Sequence, residues 1–331
     1  MLVFHYLVQI FPPTAEAGAL LQQIIFFNGT MAVCVFFVVS GSSLSIGYIR
    51  RQDARALTRL AVGRYPRLVI PILAACSLVH VMLLVGLIPL PSQRPEALEP
   101  FLRVELTVTH LLRFSLFDVF FDFRLFESYI PPLWTMSVEL VGYAVVVALL
   151  AVFGRVAWRA WAYAAVMIVL LALGSFYSLF VAGILLAELF VSGIPIATWC
   201  RWLLVAGFVG GLLVPVFSPG IPGPVGLFGI VAWCAAWMFL APLRRLLETR
   251  LSVWLGVVSF PLYLVHAPLA YSLCLYLLRQ IEGFGLTDAA ANSIVVAVSM
   301  PLAVVAAWLF TPVNQFAVTA ARWVGRALVR P

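Results

Sequence analysis

Charge is what this sequence has least of. Only 10% of its 331 residues are charged, against 64% hydrophobic, and lysine does not occur: all twenty basic residues are arginine. A soluble domain of this length needs roughly a quarter of its residues charged to cover its surface, so a soluble globular class is excluded. A disulfide framework is excluded as well. The five cysteines, Cys34, Cys76, Cys200, Cys234 and Cys274, are odd in number and fall mostly inside apolar runs, where they serve as small core fillers. The alternating pattern of an outer-membrane barrel is missing, whereas continuous apolar runs recur from end to end. No internal repeat or low-complexity tract interrupts them. What these absences leave is an all-α, polytopic membrane protein.

The apolar runs lie at 1–11, 24–48, 68–90, 131–152, 161–173, 175–192, 202–218, 224–242, 252–278 and 291–312, which predicts about ten spans on a window of about 20 residues. With the N-terminus in the cytoplasm, fifteen arginines fall inside and five (Arg94, Arg103, Arg113, Arg124 and Arg279) outside. That bias is the one expected of cytoplasmic loops, and it places both termini in the cytoplasm. The acids sort the other way, with only Asp53 and Glu248 inside. The longest extramembrane stretch, 91–130, falls outside, and its "HLLRFSLFDVFFDF" reads as an amphipathic or re-entrant segment. "SPGIPGPVG" (218–226) reads as a turn between spans. The first run, Met1 to Phe11 ahead of Pro12-Pro13, reaches only about 16 Å, about half of a 30 Å hydrocarbon core. It is either a half-span or the remainder of a helix that starts upstream; the upstream start is the expectation.

Ionisable groups in the spans converge on one depth. Counting helical rise from the inner face puts Glu139 at about 18 Å, His5 at about 20 Å and His266 at about 21 Å. Any one of them alone reads equally as a packing group hydrogen-bonded across helices. Three at one level point to an interior cavity, because ionisable groups at membrane depth are rare and face such spaces. His80, at about 18 Å, has no motif around it and reads as a packing histidine, and Glu188, near a cytoplasmic helix end, reads as structural. On the cytoplasmic side "RRQDARALTRLAVGRYPRLVIP" reads as a loop carrying Arg50, Arg51, Arg55, Arg59, Arg64 and Arg67 into the next span. Arg64 and Arg67, flanking Tyr65-Pro66 at the helix entrance, suit a bidentate grip on phosphates. A nucleotide, coenzyme A or anionic lipid headgroups would each satisfy them.

Taken in order, the segments resemble the acyltransferase-3 family of integral membrane acyltransferases. "VCVFFVVSGSSLSIGY" is similar to the family's second-helix block through Phe36, Phe37, Ser40 and Gly41, and "RYPRLVIP" to its basic block at the third helix. "PLWTMSVELVGY" carries Trp134, Ser137, Glu139 and Tyr143 in the family's places, and "SFPLYLVHAPL" carries Ser259, Leu262, Tyr263, His266 and Pro268. "VFHYL" resembles the end of the family's first helix, which makes His5 its catalytic histidine. Two departures stand out. The family's arginine eleven residues before that histidine would precede residue 1, and Val265 and Ala267 flank His266 where the family often has aromatics.

The resemblance implies transfer of an acyl group, usually acetyl, from cytosolic acyl-CoA to a hydroxyl on a carbohydrate or secreted-metabolite acceptor, in a bacterial inner membrane. It implies His5 as general base or transient acyl carrier, and Glu139 as the carboxylate that orients an imidazole or stabilises its charged form. Arg64 and Arg67 take the coenzyme A phosphates. His266, Tyr263, Ser40 and Trp134 are candidates for acceptor or donor positioning, with Ser40-Gly41 permitting close approach of the acyl chain or a neighbouring helix. The expected partners are the lipid bilayer and the acceptor; the chain either completes the transfer itself or hands its acyl group to a separate extracytoplasmic partner, and neither a metal nor a nucleic acid is expected. A transporter or flippase also fits ten helices with ionisable groups at mid-depth, but it leaves Arg64 and Arg67 without a role.

Overall fold

Capping residues set helix boundaries that the apolar runs only outline. The computed structural model describes residues 4–10, 12, 14–89, 91–94, 98–194, 197–217 and 223–329, and among these every regular element is helical. A π-helical segment, Phe4–Ile10, precedes α1 (Ala15–Gln22). Asn28 caps α2 (Gly29–Arg51) by accepting from the Met31 amide at 3.0 Å. Asp53 caps α3 (Ala54–Leu84), accepting from the amides of Arg55 (2.9 Å) and Ala56 (3.2 Å). The acid beside the arginine cluster is thus a helix cap. The loop expected over 50–71 is corrected too: Gln52 and Asp53 are its only non-helical residues, and Arg64, Pro66, Arg67 and Pro71 lie within α3.

Beyond α3 come α4 (Val108–Arg113), a π-helical segment at Phe114–Asp118, and α5 (Val119–Phe121). The chain continues through α6 (Trp134–Phe153), α7 (Arg159–Ala172), α8 (Tyr177–Ser192), α9 (Thr198–Phe217) and α10 (Pro224–Phe239). Then follow α11 (Ala241–Leu247), α12 (Arg250–Leu269), a third π-helical segment at Ala270–Cys274, α13 (Leu275–Glu282) and α14 (Asp288–Leu328).

Six of these helical stretches are long and apolar enough to cross a membrane, seven if α10 and α11, bent by 83°, count as one span. The expected count was about ten. The runs at 161–173 and 175–192 fold as helices of 14 and 16 residues, short of the roughly 20 that a perpendicular crossing needs. The run at 224–242 breaks at Leu240, whose ψ of 114° leaves the helical region, and Pro242 lies in the first turn of the α11 that follows. Of the first run only 4–10 is described; residues 1–3, Phe11, Pro13 and the 218–222 part of the expected turn lie outside the described residues.

The chain divides into two compact units: Met1–Leu21, Gly63–Ser137 and Trp254–Trp323 in the first, Gln22–Val62, Val138–Val253 and Val324–Pro331 in the second. In the second, α2 and α8 meet backbone to backbone. A Cβ on Gly41 would overlap the Phe180 carbonyl, one on Gly183 would overlap the Val38 carbonyl, and Ser42 Oγ donates to the Gly183 carbonyl at 2.9 Å. Phe37 stacks on Phe180 across the same contact, 5.0 Å between centroids. Glu188 takes the Arg159 guanidinium bidentately at 2.6 and 3.0 Å, the structural role expected of it.

In the first unit the 108–121 segment runs antiparallel along α3. His110 contacts Tyr129, whose hydroxyl lies 3.0 Å from His80 Nδ1; the Leu116 carbonyl accepts from the Tyr65 hydroxyl at 2.5 Å; Phe120 packs on Tyr65 at 5.5 Å. From His80 to Tyr65 is about 22 Å of helical rise, most of a 30 Å hydrocarbon core. Arg94, 8% exposed, ties the preceding loop down by donating to the carbonyls of Pro89 (2.7 Å) and Phe101 (2.6 Å). Its burial lowers its pKa from the ordinary arginine value.

Candidate active site

His266 lies two residues before Pro268, which supplies no N–H to the helix. Just beyond it α12 relaxes into the π-helical segment at Ala270–Cys274, and Ser272 Oγ donates to the Pro268 carbonyl at 2.8 Å. The His266 carbonyl accepts from the Tyr6 hydroxyl at 2.8 Å, which fastens the π-helical Phe4–Ile10 segment to α12. Tyr6 is itself fully buried.

This places two imidazoles face to face. The rings of His5 and His266 stack with centroids 5.0 Å apart and planes inclined by 29°. His266 Nδ1 is 3.0 Å from the Leu262 carbonyl. A carbonyl only accepts, so Nδ1 carries the proton, and the neutral ring presents Nε2 as its lone pair. That Nε2 is buried and makes no hydrogen bond among the described residues. His5 is half-buried, with its Nε2 inside, while His266 is 1% exposed.

Tyr263, about one turn earlier on α12, has its ring 6.1 Å from that of His266. Its hydroxyl donates to the Pro132 carbonyl and lies 2.7 Å from Thr135 Oγ1, which therefore donates to it. Trp134 stands between those two partners and its carbonyl accepts from Ser137 Oγ at 2.8 Å. Arg64 and Arg67 are one turn apart on α3, Arg64 half-buried and Arg67 exposed. In the second unit Glu139 is fully buried, and Ser40 Oγ donates to its Oε1 at 3.2 Å. Among the described residues no three histidines, cysteines or acids are grouped to hold a metal ion.

A family model described as an acyltransferase domain, of the acyltransferase-3 type, matches residues 1–311 of the 331. The chain belongs to the acyltransferase-3 family. Comparison with curated proteins and with solved structures returned no match.

Within the acyltransferase-3 frame, the two histidines expected at one depth are in contact, and Tyr263 joins them through its ring. Glu139 falls in the second unit with Ser40, a residue from a different block of the same resemblance. Sequence reasoning missed Tyr6 and Thr135. Tyr6 adjoins His5, and Thr135 lies inside the Trp134–Glu139 block, yet tyrosine and threonine in an apolar run carry no depth signal of their own.

Proposed function

We propose that this membrane acyltransferase moves an acyl group, acetyl in our reading, from cytosolic acyl-CoA to a hydroxyl of a carbohydrate or related acceptor. The observation that carries the reading is the stacked His5–His266 pair, in which hydrogen bonding to Leu262 leaves a buried imidazole lone pair. His5 takes the proton from the acceptor hydroxyl as its oxygen forms a bond to the thioester carbon. The carbon–sulfur bond breaks, and the imidazolium returns its proton to the departing thiolate, releasing the acyl ester and coenzyme A. Arg64 and Arg67 grip the coenzyme A phosphates from one helical turn. Glu139, held by Ser40, is the buried carboxylate of the machinery. The setting is a bacterial inner membrane, with a separate extracytoplasmic protein receiving the acyl group where the acceptor lies beyond reach.

The test needs no acceptor. Acetyl-CoA is titrated calorimetrically into detergent-purified protein and into the Arg64→Ala/Arg67→Ala double variant, with adenosine 3′,5′-bisphosphate as competitor. Saturable binding that the bisphosphate displaces and the double variant loses by at least tenfold is the expected result. An unaltered isotherm in the variant removes the two arginines from the donor site, and no binding by the parent protein turns the reading toward a transporter or flippase.

A further inference from the structure

We propose that α11, with the start of α9 beside it, lies in the membrane interface and holds the phosphodiester headgroups of anionic phospholipids. This surface belongs to the second unit, shares no residue with those assigned to acyl transfer, and stands whatever the donor or acceptor.

Packing sets the position. α9 contains a stretch long and apolar enough to cross a membrane, Trp199–Val216. α10 lies along it and runs the opposite way: a Cβ on Gly207 would come within 3.0 Å of the Ala232 methyl, and one on Gly229 within 2.6 Å of the Val214 side chain. Phe208 stacks on Trp233 in the same contact, 6.3 Å between centroids. α10 therefore follows the span, and the 83° bend at Leu240 turns α11 nearly into the membrane plane. Arg201 is six residues before Gly207, about 9 Å along the axis, which brings it level with the end of α10 where α11 begins.

The side chains suit that position. Leu243, Leu246 and Leu247 share one face of α11 at the spacing i, i+3, i+4, and Arg244 and Arg245 lie off it. Leu246 is 56% and Leu247 51% exposed; in the interface, hydrocarbon covers such a face. Trp199 and Trp202, on either side of Arg201, are exposed as well, and tryptophan gathers at headgroup level. Charge supplies the headgroup. Arg201, Arg244, Arg245 and Arg250 oppose only Glu248, a net charge of +3 over 197–205 and 241–253. Glu248 lies 3.5 Å from Arg244, while the other three arginines are exposed and in no ion pair among the described residues. Arg50 adds a fifth cation: it sits 5.9 Å over the Phe190 ring, and Phe190 meets Phe239, the residue before the bend, at 6.2 Å. Arginines on an amphipathic helix in the interface complement anionic lipids, and each guanidinium fork matches a pair of phosphate oxygens.

The experiment places the full chain in phosphatidylcholine nanodiscs that carry a small fraction of photoreactive phosphatidylglycerol or, in a matched sample, photoreactive phosphatidylcholine. The label is mapped by peptide. Peptides covering 197–205 and 241–253 should take at least about tenfold more label from phosphatidylglycerol, because each arginine near the surface favours an anionic lipid by about fivefold. Arg201→Gln/Arg245→Gln, which lowers the net charge without shortening the side chains much, should cut that preference at least about fivefold with the thermal midpoint unchanged. Leu246→Gln/Leu247→Gln should lower labelling of 241–253 by both lipids. Equal labelling by the two lipids would leave the arginines a role in insertion alone and overturn the proposal. A preference that survives the double arginine variant overturns it too, as does one that excess acetyl-CoA abolishes, which would give the site to a soluble phosphate. Absence of label from 241–253 with both lipids would put the leucines against protein instead of the bilayer and end the proposal.

Discussion

A carboxylate or imidazole buried among apolar helices costs several kcal/mol unless its polar atoms are satisfied, and each such residue here has a specific answer. His80 is met by Tyr129, Glu188 by Arg159, and His266 by Leu262 on one nitrogen only. The pairing of His5 with His266 was legible because a histidine in an apolar run marks itself, and counting rise along the helices assigned both to one level. The tautomer of His266 was not legible, since it depends on which backbone carbonyl the ring meets. Glu139 is where residue-level chemistry is most exposed to test. Glu139→Gln keeps the shape and an oxygen for the Ser40 hydroxyl but removes the carboxylate's charge. Turnover should fall at least 100-fold, the lower end for loss of an acid–base group, with acetyl-CoA affinity and thermal midpoint little changed. Near-normal turnover would confine Glu139 to packing.

At the scale of elements, the second-helix block owes its small residues to helix contact. Gly41 and Gly183 let α2 and α8 approach until a Cβ on either would meet a carbonyl of the other helix, so of the two occupants expected beside Ser40-Gly41 the structure shows the neighbouring helix. Gly47, six residues along α2 from Gly41, is different: a Cβ added there would have nothing within 4 Å. The pair makes an internal control. Gly41→Ala should destabilise by about 1–3 kcal/mol, as overpacking against backbone does, whereas Gly47→Ala should be neutral or stabilise by about 0.5–1 kcal/mol through helix propensity. Thermal unfolding in detergent separates them, and equal midpoints would remove the close approach as the reason for Gly41. Helix existence was legible from apolar runs, but not all boundaries were. The Asp53 cap is local, bonding amides two and three residues on, whereas the course of 108–121 depends on partners far along the chain such as Tyr65, and only Pro242 announced the break at Leu240.

For the molecule as a whole, sidedness decides whether a cytosolic donor and an external acceptor have separate entrances. Sidedness rests on the arginine bias, which acts during insertion through short loops near the spans. It puts Arg155, between α6 and α7, inside, and Arg103, between α3 and α6, outside. Both side chains are exposed, and Arg103 gives up only a surface pair with Glu99, worth at most about 1 kcal/mol. Cysteines placed there therefore report topology without disturbing the fold. Four native cysteines are buried, and Cys200, the partly exposed one, is replaced by alanine as background. With a membrane-impermeant maleimide, Arg103→Cys should be labelled on intact cells and Arg155→Cys only after permeabilisation. The reverse pattern would carry the arginines of α3 to the side away from cytosolic acyl-CoA, and the proposed donor entrance would fall. Labelling of both positions on intact cells would place α6 on one side of the membrane, which its 20 apolar-rich residues, at about 30 Å of rise, argue against.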